Sequence, residues 1–104
     1  MILSTMMDIP GKTIKEILGI VKGNTVRARH IGRDIAAGLK HLVGGEIEQY
    51  TKLLDEARQE AVDRMVEDAV TLKADAIVGI RFSSSSLMQG ASEILVYGTA
   101  VKLK

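Results

Sequence analysis

Side chains able to do chemistry are few in this chain and widely spaced. The nitrogen ligands are His30 and His41, eleven residues apart. That is not the four-residue step that sets two imidazoles on one helix face. There is no cysteine, so thiolate metal sites, cysteine nucleophiles and disulfides are all excluded. Soft metal ions prefer sulfur donors. Five methionines remain, but Met6 and Met7 read as part of a strand and Met65 as part of a core. A metal site within one subunit is therefore poorly supplied. A symmetric site, with one His or Glu per subunit converging on a ring axis, is less limited by that inventory; the plain alternative is that His30 and His41 are surface or helix-end residues, and any ion held would be a divalent metal.

Arg27, Arg29, His30 and Arg33 form a basic cluster ahead of an expected helix start, where free N–H groups could take a phosphate. No glycine-rich cradle follows: Gly32 and Gly38 match neither the dinucleotide nor the P-loop spacing. A solvated loop is the simpler reading. Ser83 to Ser86 lack a nearby base or a nucleophile elbow. Glu60, Asp63 and Glu67 recur at steps of three and four, as on a solvated helix face. Nothing pairs two acids in an apolar pocket, as acid–base catalysis requires. No catalytic residue is assigned: the chain is read as a non-enzymatic binding protein, the alternatives being a structural or interaction module without ligand and an enzyme whose site forms only between subunits.

These side chains must be positioned by a small framework. The 104 residues make one domain, with a net charge of +1. No global field points to nucleic acid, and aromatics at 3% leave little for base stacking. No stretch approaches the roughly 18 apolar residues of a membrane span. With no basic leader at the N-terminus and no cysteine, the expectation is a soluble cytoplasmic protein.

The central element is Tyr50 to Lys73, free of Gly and Pro. Leu54, Ala57, Ala61, Met65, Ala69 and Leu72 recur at helical spacing, with Leu53, Val62, Val66 and Val70 beside them. A short helix is expected from Ile31 to Val43, ended by Gly44 and Gly45. Met1 to Met7 reads as a strand. Thr13 to Val21 reads as a strand with a bulge at Gly19. Lys22-Gly23-Asn24-Thr25 has hairpin-turn chemistry, with Val26 to Ala28 as the return strand. Ala76 to Ser83 is a strand with Ala76, Val78, Ile80 and Phe82 on one face. Ser83 to Ser92 is expected to be a mobile polar loop, with Arg81 and Glu93 pairing across it. Glu93 to Leu103 is the last strand.

These elements give an α+β fold, a small antiparallel sheet against one long helix plus a short one. Ile94, Val96 and Ala100 share one face of the last strand, and Leu95, Tyr97, Val101 and Leu103 share the other. One helix covers one face, so the second apolar face calls for another copy of the chain.

The segments LGIVKGNTV (18–26), GGEIEQYTKLLDEARQEA (44–61), ADAIVGIRF (74–82) and YGTAV (97–101) resemble the YbjQ-like family of small proteins, labelled "putative heavy-metal-binding". The resemblance spans nearly the whole chain in the same order. It implies a dodecin-like subunit assembled into a ring-shaped homopentamer. Gly44-Gly45-Glu46, Tyr50 and Arg58 match the family motif residue by residue. Their functional reading is a small polar pocket in which Glu46, Tyr50 and Arg58 bind an ion or small ligand. Their structural reading is a helix bend, a favourable charge or cap at a helix start and an Arg58 that pairs with Asp55 or with a neighbouring subunit.

Overall fold

The computed structural model describes residues 1–28 and 45–104, with the side chains of 28 and 45–50 outside that description. The expected helix from Ile31 to Val43 lies outside the described residues, as do His30 and His41.

The apolar periodicity of the central stretch becomes helix α1, Gly45–Thr71. It runs uninterrupted for seven turns because nothing in it breaks a helix. Ala57, Ala61, Met65 and Ala69 are fully buried along its inner stripe. It ends where Lys73 turns left-handed (φ 60°) and the Ala74 N–H reaches back to the Ala69 carbonyl at 3.1 Å, a left-handed helix stop without the usual glycine.

Four strands form one sheet: β1 (Ile2–Leu3), β2 (Ile14–Ala28), β3 (Ala76–Met88) and β4 (Ala91–Leu103), in the order β1-β3-β4-β2. β4 pairs antiparallel with both β2 and β3, but β1 pairs parallel with β3. The sheet is therefore mixed rather than antiparallel. A parallel pair needs a long crossover, and β2 and α1, lying between β1 and β3 in sequence, supply it.

The expected turn at Lys22-Gly23-Asn24-Thr25 does not form. β2 continues through it to Ala28, paired with β4 from Ile14↔Leu103 to Ala28↔Ala91. The glycine serves close approach instead. A Cβ on Gly23 would lie 2.6 Å from the Met65 amide nitrogen and against the Ala61 carbonyl. Two residues on, the buried Thr25 hydroxyl donates to the Ala57 carbonyl at 3.1 Å. The alanines at 57 and 61 let the helix backbone rest on β2, and Thr25 fastens it there. The expected bulge near Gly19 is present, with a register shift between Ile17 and Gly19 and φ 134° at Gly19.

Nor is Ser83 to Ser92 a loop. β3 runs on to Met88, a turn at Gln89-Gly90 follows, and β4 starts at Ala91. Ser83 to Ser86 are exposed strand residues laddered to Leu95 through Ser92. The backbone ladder, not side-chain burial, orders them. Arg81 and Glu93 do not pair: Arg81 donates to the Thr5 carbonyl at 2.8 Å, and Glu93 accepts from the Asn24 side chain at 3.3 Å.

A second bulge lies between Val78 and Arg81, with Gly79 at φ 63°. It exchanges the faces of β3, so Ile77 and Ile80 join the helix-side core with Val21, Ile94, Val96 and Ala100. Ala76 and Val78 pack with Val101 on the far side, where Ile9, Ile14 and Leu103 shelter one end. The alternation expected for Ala76, Val78, Ile80 and Phe82 is broken at that bulge. Among the described residues, no helix is long and apolar enough to cross a membrane.

Candidate functional site

The most organised polar cluster lies where α1 meets the outer edge of β2. Alternation along β2 turns the backbone groups of Lys22 and Asn24 away from β4. Two helix residues one turn apart, Arg64 and Asp68, answer them. Asp68 accepts from the Lys22 N–H at 3.4 Å. Arg64 donates to the Asn24 carbonyl at 2.6 Å and to Glu60 at 2.6 Å. Glu60 takes its second cation, Arg27, on its other carboxylate oxygen.

Glu60 is thus held between two guanidiniums rather than merely solvated on the helix face. The arrangement is a clamp, since both carboxylate oxygens are taken. Side-chain exposures of 28% for Arg27 and 38% for Glu60 leave it partly screened by solvent, which keeps such pairs modest in energy. The sequence signal was weak: Arg27 read as part of a basic cluster, and only the helix-to-strand register brings it to Glu60.

Beside the clamp, Lys22, Asn24, Arg64, Glu67, Asp68 and Thr71 line an open polar cleft of about 430 Å3. It combines two acids with two bases and offers no single sign of charge to a ligand. Among the described residues, no three His, Cys, Asp or Glu side chains stand close enough to hold a metal ion.

The family-motif residues are spread along α1. Glu46 and Tyr50 lie in its first two turns and their side chains are outside the described residues. Arg58 is described, and it pairs with Asp55 at 2.7 Å on the exposed surface. With a rise of about 1.5 Å per residue, Glu46 and Arg58 are separated by about 18 Å along the axis. A small ligand touching all three would need groups from elsewhere to fill that span.

Fold and sequence together define the class. The whole chain, residues 1–104, matches the YbjQ family, described as "Putative heavy-metal-binding", and the chain belongs to that family. It is similar throughout to proteins named UPF0145. The one from Vibrio campbellii is 61% identical over 103 residues, covering 99% of each chain. That of Thermotoga maritima is 57% identical over 104 residues, covering 100% of this chain and 98% of the relative. The Archaeoglobus fulgidus protein is 55% identical over 103 residues, covering 99% and 95%. Among solved structures, a DUF74-family protein from Pediococcus pentosaceus aligns over 100% of this chain and 98% of its own, with a TM-score of 0.67 and 19% identity. At that identity the likeness supports the fold: a small α+β unit with a four-stranded mixed sheet and, among the described residues, one helix.

Proposed function

We propose that this chain is a non-enzymatic, homo-oligomeric binding protein that holds a divalent metal ion or small ligand within or between its subunits. The observation that carries the reading is the sheet face opposite α1. Ile17 and Ile20 are 70% and 78% exposed there, and Tyr97 on the same face is 41% exposed. Covering apolar surface is worth about 25 cal/mol per Å2, and a second copy is the simplest cover. A ring of five is the form that the family resemblance suggests.

Family membership supports the metal side of the reading. His30 and His41 are the nitrogen donors available to an ion shared between copies. Glu46, Tyr50 and Arg58 are the groups available to a small charged ligand, and their long axial span favours a site completed by a neighbouring subunit.

Light scattering and elemental analysis of the tag-free protein test this together. The expected result is an assembly of about five times the 11.3 kDa subunit mass, with metal bound in a fixed ratio. A stable monomer at micromolar concentration overturns the assembly. An assembled protein that carries no metal and gives no calorimetric response to divalent ions overturns the metal reading.

A further inference from the structure

The N-terminal segment crosses the edge of β3 and is held there carbonyl by carbonyl. The Ser4 carbonyl accepts from the Ile80 N–H at 3.1 Å and the Met6 carbonyl from the Gly79 N–H at 2.8 Å. Between them, the Thr5 carbonyl accepts from Arg81 at 2.8 Å. All three donors lie in the β3 bulge or at its end. Further on, Ile9 packs on the far side of the sheet with Ala76, Val78 and Val101. The segment is a strap over the bulge, fastened before Met7 by backbone bonds and after it by burial.

Met7 itself is fastened by its thioether. A Cβ on Gly79 would lie 3.1 Å from the Met7 Sδ and 3.7 Å from its Cε, and, chain neighbours aside, nothing else stands within 4 Å. Gly79 has φ 63°, where a side chain is strained. The bulge therefore offers a bare backbone seat, and the sulfur lies on it. Met7 is nevertheless 67% exposed, while Met65 is fully buried. Leu3, Ser4 and Thr5 of the strap line an apolar groove of about 190 Å3 together with Met65 and Phe82, so the strap stands beside that buried sulfur.

We infer that Met7 is a reversible oxidation site whose sulfoxide loosens the strap from the β3 bulge. The oxidant is a hydroperoxide. The sulfur lone pair attacks one peroxide oxygen, and an S–O bond forms as the O–O bond breaks. The attacked oxygen's proton passes to the departing oxygen, which leaves as water, or as an alcohol from an organic peroxide. Sulfur loses two electrons and the peroxide gains them. A polar, chiral S=O group replaces an apolar thioether, and methionine sulfoxide reductase reverses the step.

The new oxygen needs a hydrogen-bond donor, and the amides of Gly79 and Ile80 are already given to the strap's own carbonyls. It either competes for those amides or turns to water and lifts the sulfur from its seat. Both courses weaken the hold at Gly79. Met1, Met6 and Met88 are exposed too and serve as internal controls, since none of them meets the Gly79 seat.

Hydrogen peroxide tests it on wild-type protein and on Met7→Leu, which keeps an apolar chain at the seat without the sulfur. Sulfoxides are mapped by mass spectrometry, and amide exchange at Gly79 and Ile80 is followed by NMR. In wild-type protein Met7 is expected to oxidise before Met65, with the two amides exchanging about fivefold faster, the weight of one hydrogen bond. Treatment with the reductase should restore the original rates. In Met7→Leu the same peroxide should oxidise Met1, Met6 and Met88 and leave both amides unchanged.

A Met7 that resists peroxide while Met6 and Met88 react, or that reacts after Met65, overturns the site itself. Met7 sulfoxide with unchanged exchange, or equal acceleration in Met7→Leu, overturns the link to the strap. The reductase comparison uses a single chain and decides even where the leucine variant folds poorly: faster exchange that persists once the sulfoxide is removed overturns the link as well.

Discussion

On one side of the sheet, Val21, Ile94 and Val96 are buried beneath α1. On the other, Ile17 and Ile20 stand in the same strand as Val21 and face solvent. The residue types are alike, so composition does not separate the faces. The separation comes from Gly23, Ala57 and Ala61, which let α1 settle closely on one face, and from the bulge at Gly19, which keeps Ile17 and Ile20 together on the other. The closed face makes the subunit. The open face leaves Ile17 and Ile20 largely exposed.

The largest effect should come from charging the closed face. Met65 is 0% exposed, and Met65→Asp would bury a carboxylate with no partner. The expected cost of about 3–5 kcal/mol is a large share of a small domain's stability. The variant should be insoluble or unfolded by circular dichroism. Asp63→Ala, two residues away on the exposed side, should fold normally. A folded Met65→Asp protein would mean that the stripe does not face the sheet.

Next is the close approach itself. Gly23→Val should lower stability by about 2 kcal/mol or more, because the new side chain meets helix backbone, which cannot rotate aside. Thermal melts would read this directly. A melting temperature within a degree of wild type would show that the helix does not rest on Gly23.

That glycine also marks how far the sequence could be read. The helix was legible because seven turns of repeated spacing leave no competing interpretation. The bulge at Gly19 was legible because a glycine inside a β-branched run has few other uses. Gly23 was not, because Lys-Gly-Asn-Thr is equally good turn chemistry. Only the helix above it decides between a turn and a contact. The four serines misled for a related reason: side chains that bury nothing look like a loop, while the backbone ladder that orders them leaves no mark in residue type. The face exchange at Gly79 needed φ, which spacing does not report. As for the candidate site, Asp55 was one of two partners the sequence offered Arg58, and the structure pairs them, whereas the Arg27–Glu60–Arg64 clamp depends on a register between β2 and α1 that local patterns do not encode.

A smaller effect is expected at the fastening point. Thr25→Val keeps the shape of a side chain that is 2% exposed and removes its hydrogen bond to the Ala57 carbonyl. The loss should be about 1 kcal/mol, seen as a lowered denaturant midpoint with an unchanged slope. A changed slope would mean that α1 had lifted from β2 in the native state.

The smallest effect on the subunit should come from the open face, where the comparison becomes sharpest. Ile17→Thr and Val21→Thr each replace a β-branched aliphatic residue by a β-branched hydroxyl in the same strand. At Val21 the hydroxyl enters a closed core and should cost about 1–3 kcal/mol. At Ile17 it meets solvent, and in dilute, dissociated protein the change should stay within about 0.5 kcal/mol. At higher concentration the two faces should respond differently again. If assembly covers the open face, the wild-type denaturation midpoint rises with protein concentration by mass action, and Ile17→Thr weakens that rise while Val21→Thr leaves it intact. A wild-type midpoint independent of concentration would show that no second copy covers Ile17. Equal losses at both positions in dilute protein would show that the far face is already closed within one chain.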